Sequence, residues 1–225
     1  ALFISTIVVS LAIMLGCLFL PRRIVVMPIG RLWSRSILAI AGVRVVVEGE
    51  DELSGDGPFL YMPNHRSSLD VFALSPSLRG DLRFIAKKSL RWVPFFGWAM
   101  WAAGSVFIDR NNRAKAIAKL GVVSVKMRAG ATALVFPEGT RSRDGSMRPF
   151  KRGPFYLALE TRIPIVPVGV FGTERLWPVG SPWIGSGEVR IRYGRPIPIG
   201  EGATLESLAA ATRDEVVRLA GSSEA

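Results

Sequence analysis

One histidine and one cysteine are all that this chain of 225 residues contains of either type, and each scarcity closes off chemistry. Cys17 has no second cysteine to pair with, which excludes an internal disulfide and any cysteine-rich metal site. A single imidazole beside a single thiol leaves too few soft ligands for zinc, so no metal or other cofactor is expected. Missing motifs narrow the field further. No Gly-x-Ser-x-Gly elbow occurs, which counts against a serine hydrolase. No Gly-x-x-x-x-Gly-Lys-Ser/Thr loop occurs, which counts against a P-loop nucleotide enzyme. Internal repeats and low-complexity segments are absent too, and only the C-terminal Gly-Ser-Ser-Glu-Ala reads as a loose end.

Acidic residues are the minority charge. Lys and Arg outnumber Asp and Glu by 29 to 18, a formal net charge of +11. Such a balance favours an anionic partner: a phospholipid surface, a phosphorylated substrate or nucleic acid. Nucleic acid is the poorest of the three, because the chain carries no recognisable module and no aromatic stacking pattern for it.

Hydrophobic residues make up 49% of the chain against 21% charged, and they are unevenly placed. Ala1 to Leu20 is apolar, uncharged and interrupted only by Ser5, Thr6 and Ser10. About twenty such residues in a helix suffice to cross or re-enter a bilayer core. A signal peptide would carry its positive charge before the apolar region; here Arg22 and Arg23 follow it, after Pro21. From Ile24 to Val43 a second apolar stretch carries Arg31 and Arg35 four residues apart, on one helical face. It reads as an interfacial helix whose cations face lipid phosphates and whose Trp33 sits near the headgroups. Residues 1–42 are therefore expected to form a two-helix membrane-anchoring hairpin, with anionic lipids as partners. If the first helix spans, the positive-inside tendency puts the main domain in the cytoplasm.

Residues 43–225 alternate strand and helix patterns, the signature of an α/β layer fold: a mixed β-sheet flanked by helices. Strands are expected at Val43–Glu48, Phe59–Met62, Arg83–Ala86, Ser105–Ile108, Thr132–Phe136, Ile165–Phe171 and Glu188–Tyr193. Helices are expected at Ser68–Ser77, Val93–Ala103, Arg113–Arg128, Pro154–Thr161 and Leu205–Leu219. Several of these strands run straight into polar, charged or glycine-bearing residues: Asn64-His65, Lys87-Lys88, Asp109-Arg110 and Glu138-Gly139-Thr140-Arg141. Ligands of open α/β sheets bind at such strand ends.

His65 lies between a strand pattern and a helix pattern, and Asp70 falls in the first helical turn, where a carboxylate is electrostatically favoured. That spacing lets the carboxylate bond one ring nitrogen and leaves the other to take a proton. The bland alternative is an isolated surface or core histidine. Lys87-Lys88 has a bland reading as well, a solvated pair, and so has Asp109-Arg110, a local ion pair of little energetic worth. Glu138 to Arg141 is readable as an ordinary turn, although Gly139 permits a close backbone approach and Arg141 suits bidentate phosphate binding.

Taken in order, four blocks resemble the glycerolipid acyltransferase family. They are His65-x-x-x-x-Asp70, Gly104-Ser-Val-Phe-Ile-Asp109-Arg110, Phe136-Pro-Glu-Gly-Thr-Arg141-Ser142 and Ile163-Pro-Ile-Val-Pro167. Lys87-Lys88-Ser89-Leu90 through Pro94-Phe95-Phe96-Gly97, and Phe150-Lys151-x-Gly153, are similar to its bacterial 1-acyl-sn-glycerol-3-phosphate acyltransferases. The likeness runs from about Val43 to Val170. It implies a membrane-bound enzyme, of the bacterial inner membrane, that moves an acyl group from acyl-CoA or acyl-carrier protein to lysophosphatidate, giving phosphatidic acid. His65 would be the general base and Asp70 its orienting partner. Arg141, helped by Lys87 and Arg110, would hold the acceptor phosphate, within a site completed by Glu138, Gly139 and Thr140. Glu138 would order the loop, and the block around Ile163–Pro167 would line the donor side. Two other readings stay open: a related acyltransferase acting on glycerol-3-phosphate or another lipid, and a basic membrane-binding protein without activity.

Overall fold

The computed structural model describes residues 2–55, 57–142 and 146–221; the expected loose end beyond Gly221 lies outside the described residues. Among the described residues there are seven strands: β1 (Val43–Glu48), β2 (Leu60–Pro63), β3 (Asp81–Lys87), β4 (Val106–Ile108), β5 (Ala131–Leu134), β6 (Ile165–Phe171) and β7 (Gly187–Tyr193). The helices are α1 (Leu2–Phe19), α2 (Arg22–Ile40), α3 (Leu69–Leu74), α4 (Phe96–Ala102), α5 (Arg113–Arg128), α6 (Arg152–Thr161), α7 (Thr173–Leu176) and α8 (Leu205–Ala220). The strands make a seven-stranded sheet in the order β1-β7-β6-β2-β5-β3-β4. Strands β2 to β6 run parallel to one another, β7 is antiparallel to β6, and β1 is parallel to β7. The sheet is mixed, as expected, and the C-terminal ends of five strands point to one edge.

Central parallel strands are covered on both faces and so read as continuous apolar runs rather than alternating ones. Alternate residues of β2 serve opposite layers. Tyr61 packs with Leu134, Val166 and Val168 against Leu38 of α2 and Leu69 and Leu74 of α3. Leu60 and Met62 pack with Ala133 and Ile165 against Val123 and Met127 of α5, Phe155 and Leu157 of α6 and Leu208 of α8. Each aliphatic or aromatic side chain buried in this way contributes about 1.5–3 kcal/mol. Proline inside a central strand ordinarily breaks a ladder. Pro167 is tolerated because its carbonyl accepts from Gly194 N, so its nitrogen faces the side on which pairing to β7 begins only at Val168.

The helix expected from Val93 starts instead at Phe96. Val93 is extended, as residues before proline tend to be, and Phe95 adopts a positive φ of 60°. Ahead of the sheet, α1 and α2 lie against each other. The Trp33 indole N–H donates to the Ser5 hydroxyl at 3.3 Å. Gly16 makes room at the crossing, since a Cβ there would stand 2.7 Å from Val25 Cγ1. One arginine departs from expectation: Arg31 is half-buried and donates to the Leu78 carbonyl at 2.6 Å. It ties α2 to the segment after α3, whereas Arg35 is exposed.

Candidate active site

His65 follows the C-terminal end of β2, in the turn that leads to α3. Short turns of this kind leave backbone N–H groups without helical partners, and here a carboxylate collects them. Asp70 Oδ2 accepts from the N–H groups of Arg66 at 2.8 Å and Ser67 at 2.9 Å and lies 2.7 Å from His65 Nδ1. Its other oxygen accepts the hydroxyl of Thr173, from α7. Asp70 is fully buried while the imidazole is 17% exposed, so one ring edge reaches solvent. An ionised carboxylate only accepts, so Nδ1 carries the proton in the neutral ring and Nε2 keeps its lone pair. Phe136 stacks on the imidazole with centroids 3.8 Å apart and planes at 20°, which limits rotation of the ring.

The turn is fastened on its other sides as well. Asn64 exchanges two hydrogen bonds with the Val170 backbone, at 2.8 and 2.7 Å, pinning the turn to β6. His65 N–H donates to Glu138 Oε1 at 2.6 Å, and His65 O accepts from Ser142 N at 2.9 Å. The loop after β5 is thereby bolted to the histidine itself.

That loop turns at Gly139, whose φ of +74° is a conformation that favours glycine. Glu138 is buried, and its second oxygen accepts from Arg148 N at 3.0 Å. Both oxygens thus serve backbone N–H groups inside the fold. Burial pushes the Glu138 carboxyl above the usual range, and the two N–H bonds partly offset that.

The basic residues approach from three strand ends. Arg141 donates to Ser68 Oγ at 2.6 Å, one residue from the start of α3. Arg110 reaches the Gly139 carbonyl, so it joins the loop rather than pairing with its neighbour; Asp109 is taken by Lys88 at 3.3 Å. Lys87 ends β3 with its side chain exposed, and Thr140 is exposed in the loop. Among the described residues, no cluster of three or more His, Cys, Asp or Glu side chains is arranged to hold a metal.

The sequence assigns no role to three of the side chains in this site. Asn64 stands beside His65, Ser68 reads as part of the helix start, and Thr173 lies outside every motif. The signal for Thr173 is its place just after a strand end, Phe171-Gly172, the same class of position as the others.

Comparison with known proteins bears on what this arrangement does. The family model described as Acyltransferase matches residues 44–171. The 1-acyl-sn-glycerol-3-phosphate acyltransferase alpha of Homo sapiens is 35% identical over 195 residues, 86% of this chain and 69% of that protein. The 1-acyl-sn-glycerol-3-phosphate acyltransferase of Saccharomyces cerevisiae is 44% identical over 138 residues, 60% of this chain and 45% of that protein. Among solved structures, the 1-acyl-sn-glycerophosphate acyltransferase PlsC of Thermotoga maritima superposes with a TM-score of 0.80 at 26% identity, covering 97% of this chain and 95% of that one.

Proposed function

Because the chain belongs to the acyltransferase family, we propose that it moves a fatty acyl group from acyl-CoA or acyl-carrier protein to the free hydroxyl of 1-acyl-sn-glycerol-3-phosphate, yielding phosphatidic acid. The observation that carries this reading is the buried Asp70 carboxylate 2.7 Å from Nδ1 of a part-exposed His65, at the sheet edge where Arg141 bonds Ser68 and Arg110 bonds Gly139.

The chemistry follows from that pair. A lipid hydroxyl is a weak nucleophile until its proton is taken, and a neutral imidazole is suited to take it near pH 7. His65 Nε2 accepts the proton as the hydroxyl oxygen bonds to the thioester carbonyl carbon. The C–S bond then breaks, the thiolate leaves, and the proton on His65 is available to it. Asp70 stabilises the imidazolium formed on the way. Arg141, with Arg110 and Lys87, holds the acceptor phosphate, while Glu138, Gly139 and Thr140 shape the loop that presents Arg141. No acyl-enzyme is needed, because a thioester is already activated.

Residues 1–42 serve as the membrane anchor and residues 43–225 as the catalytic domain. Support comes from α1, whose mean hydropathy is 2.6 with 11% of the helix buried in the chain. Its outward side chains Phe3, Ile4, Val8, Leu11, Leu15, Leu18 and Phe19 are all apolar and exposed. At about 1.5 Å per residue the helix is on the order of 27 Å long, close to the roughly 30 Å of a bilayer's hydrocarbon core. The arginines that follow favour the cytoplasmic side of the bacterial inner membrane for the catalytic domain, where acidic lipids would meet the chain's positive charge.

The test is an assay of the purified full chain with each donor against lysophosphatidate and glycerol-3-phosphate. Turnover is expected with lysophosphatidate, and His65→Ala should lower it by at least about 100-fold while leaving the protein folded. Near wild-type turnover in that variant would remove the mechanism, and activity on glycerol-3-phosphate alone would remove the acceptor.

A further inference from the structure

The carboxylate that orients His65 is itself gripped from a segment about a hundred residues further along the chain. Between the end of β6 and the end of α7 the backbone runs along the whole catalytic turn. Val170 bonds Asn64 twice, the Trp177 carbonyl accepts from Ser67 Oγ at 2.7 Å, and Glu174 lies 3.8 Å from the Arg66 guanidinium. Thr173 donates its hydroxyl to Asp70 Oδ1.

Thr173 opens α7 directly after Gly172, so no preceding helical turn offers its hydroxyl a carbonyl. It gives its proton to a fully buried carboxylate, and is itself fully buried. The other three donors on Asp70 all meet Oδ2. Oδ1 has the Thr173 hydroxyl, and that bond stops the carboxylate from rotating away from the imidazole.

We propose that Thr173 is a positioning residue for acyl transfer, fixing the plane of the Asp70 carboxylate so that His65 presents Nε2 to the acceptor hydroxyl. This rests on reading His65 as the general base. A group that orients a catalytic hydrogen bond acts on the transition state more than on substrate binding, so its loss should appear in kcat. The charged groups around the pair are Arg66 in the turn, Glu138 in the loop after β5, Arg141 on Ser68 and Glu174 in α7. The Thr173 hydroxyl bonds Asp70, and the bonds given for these charged groups run to other partners.

Thr173→Val keeps the shape and removes the hydroxyl, and Thr173→Ser keeps the hydroxyl. The Val variant is expected to lose about tenfold in kcat with the acceptor KM changed less than about twofold, and the Ser variant to return within about threefold of wild type. Because the chain has a single histidine, 15N-histidine labelling of the full chain reports on the His65 ring alone. Its Nδ1 and Nε2 resonances should move in the Val variant and stay near wild type in the Ser variant. Unmoved resonances with unchanged kcat in the Val variant overturn the inference. Equal losses in both variants with unmoved resonances, or a Val variant that does not fold, mark a structural role and overturn it as well. His65→Ala, run beside them, separates the two readings: if it stays active, the base assignment falls and takes this inference with it, whereas an inactive His65→Ala with an unaffected Val variant removes Thr173 alone.

Discussion

The two halves of the sheet edge are built differently. Around His65 and Asp70 the polar groups are closed into a network: Asp70 is fully buried, Asn64 and Ser67 are buried, and each bonds another element of the fold. On the basic half, Lys87 and Arg110 are exposed and Arg141 is half-buried; among the described residues Arg110 donates to Gly139 O and Arg141 to Ser68 Oγ. The contrast fits the two proposed tasks. A proton path has to be set before substrate arrives, since misplacement costs rate steeply. Flexible cations can instead close on a phosphate that brings its own charge and acceptors.

The sharpest way to break the closed half is Asp70→Asn. The side-chain carbonyl can still accept from the Arg66 and Ser67 N–H groups, and the Thr173 hydroxyl can turn round to accept from the new amide. Folding should therefore survive. What is lost is the negative charge opposite the imidazolium, and kcat is expected to fall by roughly 10²–10⁴-fold with the acceptor KM little changed. Loss of less than threefold in a steady-state assay would show that Asp70 does not act on His65 during turnover.

The open half should fail differently. Arg141→Ala is expected to raise the KM for the phosphorylated acceptor on the order of tenfold, with a smaller change in kcat, because a lost charge-assisted contact to a group distant from the reacting atoms weakens binding. Arg141→Lys should recover part of it, keeping the charge but not the planar fork. Steady-state kinetics with varied acceptor decides: an unchanged KM in the alanine variant would take Arg141 out of the phosphate site.

The same contrast explains what was legible in the sequence. His65 and Asp70 are five residues apart across a strand–turn–helix, so spacing alone announces their proximity. Strands β6 and β1 fall at their expected bounds because turn residues flank apolar runs, and helix α5 does so because Asn112 caps its start and Gly130 follows its end. Other features depend on distant parts of the chain. No spacing rule links Thr173 to Asp70, or tells that Glu138 turns inward to the His65 N–H rather than outward to a ligand. Arg31 reads as a lipid-facing cation because its helical periodicity is that of Arg35; the packing of α2 beside Leu78 distinguishes them. Helix α4 lost its first turn to Pro94 and the positive φ of Phe95, a local conformation that an apolar pattern does not record.

The smallest expected effect concerns the hinge between the two halves, Glu138. Burial raises its carboxyl above the usual range, while the Arg148 and His65 N–H bonds pull the other way. The folded state therefore holds this proton more tightly than the unfolded chain. Its contribution to stability is full below the ordinary carboxylate value and is lost as pH rises through the raised one. Glu138→Gln removes the titration and, by placing an amide donor against one of two N–H groups, costs stability at every pH. The difference in Tm between wild type and this variant should accordingly shrink by a few °C, at most, as pH rises from about 4 to about 7. A difference that grows over that range, measured in one detergent and buffer series, would mean that the two N–H bonds outweigh burial and that the loop is held to His65 by a carboxylate ionised more readily than an ordinary one.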